Sequence, residues 1–243
     1  MPVLIVSDVH GNLVALQAVL AAAGNVSGIW NLGDIVGYGP KPRECVDLIV
    51  ELEPDYSLIG NHDWACIGRL PLDEFNPVAR FATYWTTAQL STAHMHYLEG
   101  LPNRVIENDY MLVHGSPRHP VWEYVTSART ALPQFELFDA PVCFLGHTHL
   151  QMHISLEVAM RGGGATAPMD GDVLRIEGSR FIVNPGSVGQ PRDNDPRAAY
   201  ALFEPDTREI TFHRVAYDIA ATQAQMEAAG LPRPLITRLA LGV

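Results

Sequence analysis

An aspartate and a histidine follow the first apolar run of the chain and offer the first hint of chemistry. Residues 3–6 are all aliphatic, and Asp8 and His10 come directly after them. An Asp-x-His pair after a strand can cap its own turn, or it can contribute to a metal site. In open α/β sheets, ligands bind beyond the carboxyl ends of the strands, where this pair would lie. The pair alone does not decide between the two interpretations.

The same pattern returns four more times, because other short apolar runs also end in Asp, Asn or His. The residues concerned are Asp34, Asn61-His62, His114 and His147-x-His149. Since the carboxyl ends of parallel strands meet at one edge of a sheet, we predict that five strand ends converge on one patch.

The segments between these residues predict a β-α-β-α-β beginning. Asn12 can cap a helix that ends at Gly24, and residues 45–52 have the apolar spacing of a second helix between strands at 27–32 and 56–59. This alternation favours a parallel sheet with right-handed crossovers. Further strands are predicted at 104–106, 110–113, 142–145, 152–155, 173–176, 181–183, 198–203 and 209–214, and helices near 128–137, 217–229 and 235–239.

We interpret residues 64–102 as a helical insertion, with helices beginning at Asn76-Pro77 and Ser91. The insertion either borders the edge of the sheet where the five strand ends converge, which we call the functional edge, or simply covers the sheet. Residues 157–170 are predicted to form a loop. The whole order predicts one domain over residues 1–243, an α/β fold of the four-layer α/β/β/α type, with two mixed sheets face to face and helices outside.

Composition narrows the classes of function. The net charge of −11 argues against nonspecific nucleic-acid binding, which needs Lys and Arg to neutralise phosphates. Cys45, Cys66 and Cys143 are odd in number and lack CxxC spacing, so we predict core residues of a reducing compartment. No signal peptide and no apolar run long enough for a membrane span are evident, so we expect a cytoplasmic protein without membrane contact.

The five stretches, taken together and in this order, resemble the calcineurin-like metallophosphoesterase superfamily over residues 5–189. Residues 33–40 and 184–192 resemble its small bacterial and archaeal phosphoesterase branch. The resemblance implies two metal sites that share Asp34. The first would use Asp8, His10, Asp34 and His149, and the second Asp34, Asn61, His114 and His147.

Mixed imidazole and oxygen ligands suit transition metals better than Ca²⁺ or Mg²⁺. We therefore expect two divalent transition-metal ions, with manganese as first choice and iron, zinc, cobalt or nickel as alternatives. Two such ions can share a hydroxide and bind the attacking and leaving oxygens of a displacement at phosphorus. The resemblance also implies that His62 protonates the leaving oxygen or contacts the phosphate.

The sequence leaves alternative roles for several residues near the predicted ligands. Asp63 could orient His62 or cap the next helix, and Asn184 or Ser187 could support the metal ligands. Protein phosphatases of this class carry an Asp-Arg pair where this chain has Gly37-Tyr38. Their absence puts protein-phosphatase activity in doubt, and any phosphate-binding cation must come from elsewhere. The candidate arginines near the motifs are Arg69, Arg118 and Arg192.

The sequence thus predicts a binuclear metal-dependent phosphoesterase that hydrolyses a small phosphodiester, phosphomonoester or nucleotide. The alternatives are a catalytically silent, metal-dependent nucleotide-binding protein and a scaffold of the same fold. The oligomeric state is not predicted.

Overall fold

The computed structural model describes residues 1–243, except for the side chain of Glu74. Two mixed sheets lie face to face with helices on both outer sides, as predicted. The strands are β1 Val3–Val6, β2 Gly28–Asn31, β3 Tyr56–Ser57, β4 Arg104–Ile106, β5 Tyr110–Val113, β6 Val142–Phe144, β7 Gln151–Ser155, β8 Val173–Arg175, β9 Phe181–Pro185, β10 Ala198–Glu204 and β11 Glu209–Val215. The α-helices are α1 Leu13–Ala23, α2 Pro42–Glu51, α3 Asn61–Cys66, α4 Pro77–Gln89, α5 Thr92–Gly100, α6 Ala128–Ala131, α7 Leu156–Met160, α8 Ile219–Ala228 and α9 Arg233–Leu239.

The first sheet has the strand order β3-β2-β1-β10-β11-β8, and the second has the order β4-β5-β6-β9-β7. Strands β1, β2 and β3 are parallel, as are β5, β6 and β9. The carboxyl ends of β1, β2, β3, β5 and β6 therefore open at the same edge of the sandwich. This edge is the one predicted to carry the functional residues.

Strand β1 is buried on both faces because it lies between two apolar layers. Val3 and Ile5 point into the core between the two sheets, whereas Leu4 and Val6 pack under α1 and α2. A third apolar layer joins the outer face of the second sheet to α6 and α7. The uninterrupted aliphatic run of the sequence reflects this double burial.

The two helices predicted to begin at Asn76-Pro77 and Ser91 are confirmed: Asn76 caps α4 and Ser91 caps α5. The prediction of a loop over residues 157–170 was wrong in its first part, because the side chain of Ser155 caps the short helix α7. The predicted helix near 128–137 is one α-turn followed by a 3₁₀ helix over Leu132–Leu137. Strand β9 extends through Asn184 and Pro185, which were predicted to follow the strand.

The predicted burial of the cysteines is confirmed, since Cys45, Cys66 and Cys143 are free thiols in the core. In the described part of the chain, no helix is both long and apolar enough to cross a membrane.

One buried amide connects the two sheets. Nε2 of Gln151, in β7, lies 3.0 Å from the carbonyl oxygen of Pro185 and 3.2 Å from those of Tyr200 and His213. Pro185 belongs to the second sheet, whereas Tyr200 and His213 belong to the first. Oε1 of Gln151 accepts a hydrogen bond from Nε of Arg214. The side chain thus ties the edge strand β7 of one sheet to strands β10 and β11 of the other.

We predict that Gln151→Ala lowers the free energy of unfolding by about 2–3 kcal/mol, because buried carbonyl groups lose their donor. Urea unfolding followed by circular dichroism measures this change. Gln17→Ala, at an exposed position of α1, is the matched control and should change stability by less than about 0.5 kcal/mol. Equal effects of both substitutions would contradict the proposed link between the sheets.

Candidate metal centre

The loops that follow the strands are held together by backbone hydrogen bonds. The amide groups of Asp8 and His10 donate to the carbonyl oxygens of Gly33 and Asp34, at 3.0 and 2.9 Å. The amide group of Gly146 donates to the carbonyl oxygen of His114 at 2.8 Å, which joins the ends of β5 and β6. The residues predicted at the five strand ends are therefore brought to one buried patch.

The first group of candidate ligands consists of Asp8, His10 and His149, all buried. Nε2 of His10 and Nε2 of His149 are 3.0 Å apart. Oδ1 of Asp8 lies 3.3 Å from Nε2 of His149 and 3.8 Å from Nε2 of His10. Three potential ligand atoms thus face one point.

The second group consists of Asp34, His114 and His147, also buried. Nε2 of His114 lies 3.3 Å from Oδ2 of Asp34 and 3.1 Å from Oδ1 of Asn61, so Asn61 joins this group. Oδ2 of Asp34 is also 3.6 Å from Nε2 of His10. The carboxylate of Asp34 therefore lies between the two groups.

The carboxylates of Asp8 and Asp34 have the same pattern of hydrogen bonds. Oδ2 of Asp8 accepts a hydrogen bond from the amide of His147, and Oδ1 of Asp34 accepts one from the amide of His62. The other oxygens, Oδ1 of Asp8 and Oδ2 of Asp34, are buried without a hydrogen-bond donor among the described residues. A buried carboxylate oxygen without a donor is costly unless a cation binds it. The donor set therefore fits two cations.

Each histidine of the two groups directs one ring nitrogen to a backbone carbonyl. Nδ1 faces the carbonyl oxygen of Val36 in His10, of Leu32 in His114 and of Gln190 in His149, and Nε2 of His147 faces that of Trp122. Because a carbonyl only accepts, these nitrogens carry the proton. In a neutral ring the other nitrogen is then left with a lone pair, as a metal ligand requires.

Burial is the main influence on the charges of this site. It lowers the pKa of His147 to about 3 and places the pKa values of His10 and His149 well below the usual range. Burial also lowers the pKa of His114, but the negative charge of Asp34 outweighs it and raises the value to about 9. Most of these imidazoles are therefore neutral, the form in which histidine binds metals.

The backbone of the site is strained. Nine residues other than glycine have a positive φ, and five of them are candidate ligands. These five are Asp8, His10, Asp34, His147 and His149. Such conformations cost about 1 kcal/mol or more each and cluster at functional sites.

His62 lies beside both groups without belonging to either. Its ring centroid is 4.4 Å from that of Tyr38 and 5.2 Å from that of Phe75. Nδ1 of His62 is buried without a partner, and a Cβ atom on Gly37 would lie 3.0 Å from it. Glycine at position 37, in place of an aspartate, thus lets the backbone pack against this imidazole.

The other predicted residues occupy different places. Asp63 accepts hydrogen bonds from the amides of Asp34, Val36 and Gly60, and so positions the Asp34 loop. Asn184 donates to the carbonyl oxygen of Gly146, and Ser187 donates to that of Asp8. All three contact the backbone of the ligand-bearing loops.

The three arginines predicted as phosphate-binding candidates have different surroundings. Arg118 and Arg69 are largely exposed and form ion pairs with Glu123 and Glu99. The guanidinium carbon of Arg192 instead lies 5.8 Å from the centre of the Tyr38 ring.

Sequence reasoning assigned no role to several residues that contact the site. The carbonyl groups of Gln190 and Trp122 orient His149 and His147, and the Tyr124 ring stacks on His147 at 4.0 Å. A carbonyl contact leaves no trace in residue type, so the contacts of Gln190 and Trp122 had no sequence signal. The ring of Tyr124, an aromatic residue soon after His114, did offer a hint.

We predict that Gly37→Ala destabilises the protein more than Gly171→Ala. Both glycines have a similar φ, +94° and +87°, but a Cβ atom at position 171 meets nothing within 4 Å. The backbone strain is therefore matched, and the difference, about 1–3 kcal/mol, reports the contact with His62. Urea unfolding measures it, and the imidazole resonances of His62 in NMR spectra should shift only in Gly37→Ala. Equal stability losses with an unmoved His62 signal would refute this packing role.

The chain is similar to known proteins whose family agrees with the geometry of the candidate metal centre. A family model described as the calcineurin-like phosphoesterase superfamily domain matches residues 1–208. The chain is similar to a metallophosphoesterase from Sphaerobacter thermophilus, with 63% identity, coverage of 100% of this chain and 99% of the other, and a TM-score of 0.94.

Two archaeal proteins are also similar. The uncharacterized protein MJ0912 of Methanocaldococcus jannaschii is 36% identical over 248 residues, which cover 98% of this chain and 97% of the relative. The hypothetical protein PH1004 of Pyrococcus horikoshii is 21% identical, with coverage of 100% and 98% and a TM-score of 0.80, and shares the fold. The match of the family model to most of the chain, together with these full-length relatives, shows that the protein belongs to the calcineurin-like phosphoesterase superfamily.

Proposed function

We propose that this protein is a binuclear metal-dependent phosphoesterase that hydrolyses a small phosphodiester, phosphomonoester or nucleotide. One observation carries the proposal: Asp34 lies between two groups of ligand atoms, and each group contains a buried carboxylate oxygen without a donor. The proposed first site uses Asp8, His10, Asp34 and His149. The proposed second site uses Asp34, Asn61, His114 and His147.

Two divalent cations bound there would activate water and neutralise charge on the phosphate. Imidazole and oxygen ligands suit manganese, our first choice, as well as iron, zinc, cobalt or nickel. The chain itself holds the ligands in place. Asp63 and Ser187 bind the backbone of the Asp34 and Asp8 loops, and Asn184 binds that of the loop before His147.

His62 is proposed to hydrogen-bond the phosphoryl group and to donate a proton to the leaving oxygen. Its backbone amide donates to Asp34, which fixes the imidazole next to both ligand groups. Burial lowers the pKa of His62 to about 4 in the substrate-free protein. The negative charge of a bound phosphate ester acts in the opposite direction, because it stabilises the imidazolium ion.

An exposed aromatic ring supports a small substrate with an aryl or nucleoside group. The Phe75 ring, with its centroid 5.2 Å from that of His62 and 5.3 Å from that of Trp122, is itself buried and packs behind His62 as part of the core. Tyr124 is about half exposed and leaves a ring face free beside His147. Phe75 belongs to the insertion at residues 64–102, and its contact with His62 supports the interpretation that the insertion borders the functional edge.

A cytoplasmic location of the protein stays a prediction.

The test of the proposed function is hydrolysis of bis-p-nitrophenyl phosphate and p-nitrophenyl phosphate by chelator-treated protein, with and without Mn²⁺. We expect turnover only with the metal, and the ratio of the two rates then selects natural substrates for further assays. In Asp34→Asn, metal analysis should show weakened binding at both positions, because the bridging carboxylate is lost. Metal binding without turnover of either ester would favour the nucleotide-binding alternative, and absent metal binding would favour the scaffold.

We predict that His62→Ala keeps its metal content but lowers kcat about 10²- to 10⁴-fold for esters with alkyl leaving groups. The loss should be smaller for p-nitrophenyl esters, because p-nitrophenolate leaves without protonation. His96→Ala, at an exposed position of α5, is the control and should behave like the wild type. Equal losses with alkyl and p-nitrophenyl esters would rule out His62 as the proton donor.

A further inference from the structure

We propose that Arg192 binds the phosphoryl group of the substrate beside the first ligand group, with the Tyr38 ring as its support. This inference rests on the proposed function and adds the phosphate-binding cation that the Gly37-Tyr38 stretch does not supply.

The backbone places Arg192 next to the first ligand group. Its amide donates to the carbonyl oxygen of His149 at 3.2 Å, and the neighbouring carbonyl of Gln190 faces Nδ1 of His149 at 2.5 Å. The Arg192 side chain then extends over Tyr38, whose ring centroid is 4.8 Å from that of His10 and 4.4 Å from that of His62. A planar cation on an aromatic ring is preorganised, because the ring attracts it and limits its rotamers.

Most donors of Arg192 are unused. Nη2 donates to Oε1 of Gln190 at 2.9 Å, and the buried Nε has no hydrogen-bond partner among the described residues. Among the side chains that the structure describes, Arg192 forms no ion pair with a carboxylate. A guanidinium group has five N–H donors in a planar fork that matches two phosphate oxygens. Arg118 and Arg69 differ, because glutamates already bind them.

The experiment measures binding of inorganic phosphate by calorimetry, alongside hydrolysis, in metal-loaded wild type, Arg192→Ala and Arg192→Lys. We expect the Kd for phosphate to rise about 10- to 100-fold in Arg192→Ala, because charge-assisted hydrogen bonds are lost. We expect kcat/KM to fall about 10²-fold with unchanged metal content. Arg192→Lys should lie between, since lysine keeps the charge without the fork. Added guanidinium ion should partly restore hydrolysis by Arg192→Ala.

Arg129→Ala, at an exposed position of α6, is the control and should match the wild type. Wild-type phosphate affinity in Arg192→Ala would overturn this inference even if the protein hydrolyses esters. Loss of phosphate affinity in a protein that hydrolyses no ester would instead support Arg192 as an anion ligand and count against the proposed function. Loss of metal in Arg192→Ala would also overturn the inference, because it would indicate a structural role.

Discussion

The site depends on two buried carboxylates, each of which has one oxygen bound to the backbone and one oxygen directed toward the candidate ligands. Asp8 and Asp34 each give one oxygen to a backbone amide of another loop, and the other oxygen has no donor among the described residues. The first hydrogen bond fixes the carboxylate, and the second oxygen requires positive charge in a region from which water is excluded. This division explains why the same two residues both assemble the loops and point toward a metal-binding role.

Packing of the fold maintains this arrangement in spite of its cost in free energy. Five candidate ligands have left-handed backbone conformations, which an isolated chain would avoid. Backbone hydrogen bonds from Asp8 and His10 to the next loop, and the bonds that Asp63 accepts, hold the strained turns. The strands behind them are buried on both faces, so the turns begin from rigid positions. Core stability is thus used to place ligand atoms that are unfavourable when no cation binds.

The surroundings of His62 show how neighbouring positions depend on one another. Gly37 packs against the imidazole, and no side chain fits there without displacing it. Tyr38 then covers the ring, and the guanidinium group of Arg192 lies over Tyr38. A side chain at position 37 would require His62 to move, and Arg192, which is far along the chain, brings a positive charge onto the Tyr38 ring beside His62.

Sequence features that depend only on neighbouring residues predicted much of the secondary structure. Caps and apolar spacing are local, and they correctly predicted α1, α4 and α5 and the parallel order of β1, β2 and β3. Helix α7 was missed because its Ser155 cap lies at the end of a strand and its apolar run is very short. Strand β9 was predicted too short because Pro185, which usually ends a strand, pairs with Gln151 there.

The sequence alone determined which residue types end the strands and, through the recurring motifs, which of them belong together. Tertiary structure decided which oxygen of each carboxylate is free, which ring nitrogen of each histidine is available, and that Arg192 rather than Arg118 or Arg69 extends over the Tyr38 ring. The physical reason is that these properties depend on backbone groups and side chains distant in sequence. The carbonyl groups of Gln190 and Trp122 orient histidines, yet any residue type supplies a carbonyl, so only the folded chain reveals them.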